Sequence, residues 1–405
     1  MGFRFLHTAD LHLDSPLRSL ALRDPDLAGL IADASRGALR AIVDLALAEQ
    51  VDAVLIAGDL YDGGQTSMKT ARYLTAELGR LNAGGIRAYI IRGNHDAESL
   101  ITRELTLPPL THVFTGRAGV EILDLQPRRV AIHGLSFREP RAPENLLPKY
   151  RPPLEDAFNI GLMHTSLGGA PGHDPYAPCA LGDLQASGFD YWALGHIHKR
   201  AEYAGAAHVV MPGIPQGRDI GEPGAGSVTL GSVDDAGTLR TEERVVALAE
   251  FARVEVSIDG VQDWGSLRRA IAQALTRARG SVPHVVARLD MVGDGPLAPR
   301  LHRDADLALA EAQEIARGLG HVWVEKLGLR LGQRPPKAGA LGELAQIIAS
   351  DVLGSHAYRQ ALDEARAQLV RALPDPTLRK EMEDLSPEDL EIGLAEVLAR
   401  LEGSG

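Results

Sequence analysis

The sequence predicts an α/β protein with two sheets, a smaller mixed domain and a helical tail, and three observations carry that expectation. The first hundred residues alternate three times between a short apolar run and a segment of helical periodicity. Each of those apolar runs closes on a polar cluster. Further on the texture changes twice, first to a series of short strand-like pieces and then, past about Phe251, to a second alternation of strands and helices.

The opening run, FRFLHTADLHL over Phe3 to Leu13, ends in Asp10 and His12, and strand alternation is expected to place both on one face. After a loop, Asp14 to Asp24, a helix is expected near Ser35 to Gln50, with Leu39, Ile42, Val43, Ala46 and Leu47 on its buried face. VDAVLIA, Val51 to Ala57, is apolar on both faces, as a strand covered on both sides should be, and ends in Asp59 within GDLYD. A second helix, about Ser67 to Asn82, turns Ala71, Leu74, Leu78 and Leu81 inward. The strand IRAYII then leads to Asn94, His95 and Asp96. Ligands in such sheets gather beyond the carboxyl ends of the strands, where all three polar clusters fall.

From Val113 to Phe137 the pieces HVFTG, GVEILDL and RRVAIHGLSF read as strands of a second sheet. The proline-rich loop Arg138 to Pro153 carries Arg138, Arg141, Lys149 and Arg151, and reads either as a solvated connection or as a phosphate-contacting patch. FNIGLMH ends in His164, and FDYWALGHIH ends in His196 and His198. The loop between them, with His173, Asp174 and Tyr176, is long enough to reach over the strand ends. HVVMPG, GSVTLGSV and ERVVALA are expected to complete the second sheet.

The expected domains are residues 1–250, a small α+β unit at 251–334 and a helical region at 338–405. Arg334 to Lys337, with consecutive prolines, reads as a linker. Ser386-Pro387-Glu388-Asp389 reads as a helix start, and the amphipathic helix after it, with Leu390, Leu394, Val397, Leu398 and Leu401 on one face, either packs on its own chain or docks on a partner.

Composition narrows the function classes. With 405 residues, 45% apolar and 24% charged, the chain is ordinary for a globular protein of two or three domains. It has no run apolar enough for a membrane helix and enters its first strand without a targeting prelude, so a cytoplasmic location without membrane partners is expected. The single cysteine, Cys179, precludes an internal disulfide and a thiolate zinc site, and a packing role is its default. A formal charge of −12 argues against a protein that grips DNA by phosphate neutralisation alone.

Five apolar runs thus end in Asp10/His12, Asp59, Asn94/His95, His164 and His196/His198. A lone histidine at a strand end is usually hydrogen-bonded structure. Seven oxygen and nitrogen donors, Asp10, His12, Asp59, Asn94, His164, His196 and His198, are more than one ion needs, and suit two ions sharing a carboxylate. Gln216 and Arg218 follow another strand end and read either as phosphate contacts or as structural groups. Tyr61 and Asp62 read as shaping the Asp59 loop, and His7, His133 and His208 as structural.

Taken in order, Asp-x-His, GDLYD, GNHD, a lone histidine and GHIH resemble the motifs of the calcineurin-type metallophosphoesterase superfamily over about the first 200 residues. That resemblance implies a four-layer α/β/β/α sandwich of two mixed sheets. It places one divalent metal ion on Asp10, His12, Asp59 and His198 and a second on Asp59, Asn94, His164 and His196, with Asp59 as the bridge. HTADLHLDSP, the histidine directly after Asn94, and the smaller domain with its helical tail resemble the SbcD-type, YhaO-like DNA repair nuclease subunits. These imply a manganese-dependent exonuclease or endonuclease acting on DNA with an SMC-like coiled-coil ATPase partner, and a homodimer. Mixed histidine and carboxylate ligation suits Mn, Fe or Zn better than Mg. His95 is expected to be the general acid for the leaving alkoxide, with Asp96 orienting it or raising its pKa. The competing expectations are a phosphoesterase for nucleotides or other small phosphoesters, and a scaffold that keeps the fold without catalysis.

Overall fold

A computed structural model describes residues 2–15, 25–62, 67–98, 106–125, 128–168, 176–331, 347–352, 355–373 and 379. The chain divides into two compact units, residues 1–252 with 279–286, and residues 253–278 with 287–405.

The first unit contains two six-stranded mixed sheets. In one the strands run in the order β12-β11-β1-β2-β3-β4, namely Leu239–Val245, Ser227–Val233, Phe3–Thr8, Ala53–Ala57, Arg87–Ile91 and Thr111–Val113. In the other the order is β5-β6-β7-β8-β10-β9, namely Gly119–Leu125, Arg128–Gly134, Phe158–His164, Tyr191–Gly195, His208–Met211 and Ala201–Tyr203. Strands β1 to β4 pair in parallel, as do β6, β7, β8 and β10.

Period-two alternation sorts the side chains of the central strands. Leu6, Val54, Ile56 and Ile90 face helices α1 (Pro25–Ala48) and α2 (Met68–Ala83), where Ile42, Ala46, Leu74 and Leu78 meet them. Phe5, Leu55, Tyr89 and Ile91 face the other way and join Ile132, Ile160, Leu162 and Tyr191 in the core between the sheets. Burying a side chain such as Leu55 on both sides stabilises the fold by about 1.5–3 kcal/mol relative to exposure. A short helix α3 (Asn94–Glu98) follows β3, and the outer face of the second sheet is covered by a thinner layer, in which Leu184 of the short helix α4 (Leu181–Gln185), Phe189 and Tyr150 pack on Met163, Trp192 and Val209. The four-layer sandwich is therefore present, with a slight fourth layer.

Two strands expected in the second sheet, HVFTG and GSVTLGSV, belong to the first, as does β12, which overlaps the expected ERVVALA only at Glu243 to Val245. HVFTG supplies β4, which pairs with β3, while β11 pairs antiparallel with β1 and β12 with β11. Alternation identifies a strand but not its neighbour. Here Gly231 lies opposite Phe5, where any side chain would overlap the Phe5 ring. Helix α1 also starts earlier than expected, at Pro25, a residue suited to a first helical turn, and Leu27, Ile31, Ala34 and Ala38 extend its buried stripe.

The second unit holds the strands expected past Phe251. The sheet order is β13-β14-β15 (Ala249–Ser257, His284–Gly293, Val322–Leu331), with helices α5 (Trp264–Arg277), α6 (Ala298–Arg303) and α7 (Ala305–Leu319) between them. Asp263 caps α5 by accepting from the Ser266 amide at 2.7 Å, and Leu267, Ile271, Ala274 and Leu275 form its buried face. Helix α8 (His356–Ala372) is capped by Ser355 and buries none of its residues. The linker Arg334 to Lys337, the helix start at Ser386 and the leucine face after it lie outside the described residues.

Candidate metal centre

The polar clusters converge at the carboxyl ends of β1, β2, β3, β7 and β8. Strand β1 stops at Thr8, so Asp10 and His12 are not aligned by strand alternation as expected. They stand on a loop that runs beside the loop after β2: the Asp10 amide donates to Gly58 O at 3.0 Å, His12 to Asp59 O at 3.1 Å and Leu13 to Leu60 O at 2.9 Å. Asp10 (φ 53°), His12 (φ 41°), Asp59 (φ 54°) and His196 (φ 101°) all adopt left-handed backbone. Each such residue costs on the order of 1–3 kcal/mol, and strain of this kind persists where surrounding structure over-determines it. Gly93 has no room for a side chain, because a Cβ there would overlap Asp59 Oδ1 and the His164 ring.

All seven predicted donors meet in this place. Asp10, His12 and His198 form one group and Asp59, His164 and His196 another, the ligand atoms of each lying within 4.8 Å of one another. Asn94 joins the second group, its Oδ1 lying 3.0 Å from His164 Nε2. Asp59 Oδ2 stands between them, 3.3 Å from His164 Nε2 and 4.0 Å from His12 Nε2. Asp10 holds the His196 amide with both carboxylate oxygens, at 3.0 and 3.1 Å.

The hydrogen bonds show what this arrangement is suited to hold. His12 Nδ1 lies 2.7 Å from Asp62 Oδ1 and His198 Nδ1 lies 2.6 Å from Glu222 Oε1, contacts that place a hydrogen on each Nδ1. The two Nε2 atoms then face each other, 3.2 Å apart, and either a proton or a cation between them satisfies both. His164 repeats the pattern: Nδ1 donates to Ala57 O at 2.9 Å, and Nε2 faces the oxygens of Asn94 and Asp59. Acceptors directed at acceptors repel unless protons or cations lie between them. The donor set of imidazole nitrogens, carboxylates and one amide oxygen fits divalent ions of the Mn, Fe and Zn kind.

The electrostatics agree. Burial works against charge on His164, yet Asp59 outweighs it and raises the imidazole to about 9. Burial likewise opposes ionisation of Asp59, and His164, His12 and His95 nevertheless hold it well below the usual carboxylate range. A buried cluster with this balance draws positive charge.

His95 lies at the rim with its side chain 42% exposed, its backbone amide donating to Asp59 Oδ1 at 3.1 Å. The expectation that Asp96 orients it is corrected. Asp96 is buried, with Oδ1 accepting from the Leu60 and Tyr61 amides at 2.9 and 3.2 Å and Oδ2 from the Gly93 amide at 3.1 Å, so it ties the GNHD turn to the GDLYD loop. Asp62 Oδ1 lies 3.9 Å from His95 Nδ1, and burial lowers this imidazole against the opposing charges of Asp59 and, more weakly, Asp62. Asp62, expected only to shape its loop, is thus turned into the centre. Although His12, Asp62 and His95 also lie close enough together to form a ligand group, the Arg218 guanidinium 3.6 Å from Asp62 disfavours a cation there.

Gln216 is structural. Its Oε1 accepts from the Leu248 and Ala249 amides, and its Nε2 donates to Gly217 O and Ala249 O. Arg218 forms an ion pair with Glu222 rather than pointing freely at a substrate. Glu222 was not singled out from the sequence; the signal available was a carboxylate four residues beyond Arg218 in a glycine-rich loop. Tyr176 lies edge-on to His196 at 5.1 Å, while His173 and Asp174 lie outside the described residues. Arg138, Arg141 and Lys149 line a cleft of about 500 Å³ together with Phe137, whose ring stands edge-on to His164 at 5.6 Å. His7 bridges Tyr191 Oη and Leu194 O, His133 meets Asn159 and His208 meets Glu202, all away from the centre. Burial raises the Cys179 thiol to about 11, in keeping with packing. Among the described residues no helix is long and apolar enough to cross a membrane.

Comparison with known proteins gives two family matches, Calcineurin-like phosphoesterase over residues 3–200 and Metallophosphoesterase YhaO, middle domain, over residues 251–332. The metallophosphoesterase YhaO of Bacillus subtilis is 33% identical over 318 residues, which are 76% of this chain and 78% of that protein. The DNA double-strand break repair protein Mre11 of Methanocaldococcus jannaschii is 27% identical over 202 residues, 48% of this chain and 51% of its own. A subunit of the nuclease SbcCD of Rhodobacter capsulatus is 34% identical over 131 residues, 29% of each chain. The match thus spans about half of that Mre11 and less of the SbcCD protein.

Proposed function

We propose that this chain, which belongs to the calcineurin-like metallophosphoesterase family and is therefore a phosphoester hydrolase, is a dimetal phosphodiesterase that cleaves DNA as the nuclease half of a repair complex. The observation that carries the dimetal reading is the position of Asp59 Oδ2 between two groups of inward-facing acceptors.

Asp10, His12, Asp59 and His198 would hold one ion, and Asp59, Asn94, His164 and His196 the other, with manganese as the native metal. When bound, two such ions neutralise a phosphodiester and acidify the attacking water. The chain's own residues do the rest. Asp62 and Glu222 fix the Nδ1 hydrogens of His12 and His198 and so aim their Nε2 lone pairs. His95, at the exposed rim, carries the proton that the leaving alkoxide needs, and Asp62 is the carboxylate next to its ring.

DNA as substrate is supported by the likeness to Mre11 and the SbcCD nuclease, and by Arg138 and Arg141 in a cleft that also holds Phe137, Glu139 and a Lys149–Glu144 pair. An SMC-like coiled-coil ATPase is the proposed partner. Helix α8, which buries none of its residues, belongs to the region proposed to dock on it. The formal charge of −12 favours a second reading, a phosphoesterase for nucleotides or other small phosphoesters.

Turnover of end-labelled duplex DNA, bis-p-nitrophenyl phosphate and nucleotides with Mn²⁺ supplied separates the two. The proposal expects cleavage of the duplex and of the small diester. Hydrolysis confined to nucleotides supports the second reading.

A further inference from the structure

Arg218 and Glu222 lie on the segment between β10 and β11, outside the motifs that supply the donors. Glu222 Oε1 accepts from His198 Nδ1 at 2.6 Å and from Arg218 Nη2 at 2.6 Å, and its Oε2 from the Arg218 amide at 2.8 Å. Arg218 Nη1 in turn lies 3.6 Å from Asp62 Oδ1, which meets His12 Nδ1 at 2.7 Å. A closed ring results: His12, Asp62, Arg218, Glu222 and His198, completed by the two facing Nε2 atoms. The Arg218 and Glu222 side chains are 26% and 13% exposed, so this is not a solvated surface pair.

We propose that Arg218 and Glu222 are positioning residues for one of the two ions, that held by His12 and His198, a proposal that rests on the dimetal reading of the centre. Glu222 acts through His198, fixing its tautomer and ring angle. Arg218 acts through both carboxylates: its charge keeps Asp62 and Glu222 as acceptors for imidazole hydrogens and keeps them from closing on the cation as ligands. The donor that Glu222 meets is His198, of the first group, so its influence is directed at one ion.

The test is a Mn²⁺ titration of the metal-free full chain by calorimetry, with electron paramagnetic resonance of the loaded protein, for wild type, Glu222→Ala, Glu222→Gln and Arg218→Gln. Wild type is expected to take two equivalents with a spin-coupled spectrum. Glu222→Ala is expected to weaken one equivalent about 10–100-fold and leave the other, giving an uncoupled spectrum at one equivalent. Glu222→Gln keeps an oxygen that accepts from Nδ1 and is expected to restore most of the affinity and the coupled spectrum. Arg218→Gln is expected to weaken the same equivalent, and decides the matter if Glu222→Ala does not fold. Two equivalents in wild type with unchanged affinities in the variants, or an equal loss at both, overturn this inference alone. Failure of wild type to take two equivalents overturns the reading of the centre.

Discussion

The Nε2 atoms of His12 and His198 face each other 3.2 Å apart while their Nδ1 atoms are held by two different carboxylates, Asp62 and Glu222. A core histidine is satisfied at both nitrogens, as His7 is by Tyr191 and Leu194. Here each ring meets a carboxylate on the side away from its neighbour, and the two inward Nε2 atoms are left to share a proton or a bound cation.

Asp59→Ala should abolish the binding of both ions, because one oxygen stands between the two groups. Metal analysis of the purified variant after Mn²⁺ loading checks this, and retention of two equivalents contradicts the bridging role.

His95→Asn should keep both equivalents of metal and lower kcat on DNA by about 10²–10⁴-fold, the usual contribution of a positioned general acid. The loss should be much smaller on bis-p-nitrophenyl phosphate, whose leaving group departs without a proton. An equal loss on both substrates contradicts the assignment.

Asp96→Ala should destabilise the fold by roughly 2–4 kcal/mol, since it strands three buried amides, those of Leu60, Tyr61 and Gly93. Urea unfolding of the metal-free protein measures it. Undiminished stability with lost activity would instead restore Asp96 to the chemistry.

His7 gives the stability a pH dependence of predictable sign. Burial, opposed by the Leu194 carbonyl and reinforced by Arg200, lowers its imidazole from 6.5 to about 3. The unfolded chain therefore takes up this proton first as the pH falls. Stability from this residue is whole above about pH 6.5 and is lost by roughly 1.4 kcal/mol per pH unit from there down to about pH 3. Urea midpoints of metal-free wild type and His7→Asn at pH 7.5 and 5.5 should converge at the lower pH. A gap that stays constant contradicts the prediction.

The side chains that converge at the centre were legible in the sequence because metal-competent residue types recur at successive strand ends, and a strand end is recognisable from apolarity alone. Which carboxylate serves which histidine was not. Asp62 and Asp96 occur in equally plausible motifs, and only the direction of each side chain, one toward His12 and His95 and the other toward backbone amides, separates them. Glu222 was hidden for a related reason: its importance comes from the fold of a glycine-rich loop that returns to His198, and nothing local marks that return. The run GSVTLGSV likewise identified β11 as a strand without revealing that it pairs beside β1, while β12 overlaps the expected ERVVALA only at Glu243 to Val245.

Anomalous diffraction from crystals grown with Mn²⁺ tests the central claim most directly. The account predicts two peaks about 3.5–4 Å apart, as in other two-metal centres, one against Asp10, His12 and His198, the other against Asn94, His164 and His196, with Asp59 reaching both. A single peak, or peaks away from these side chains, would contradict it.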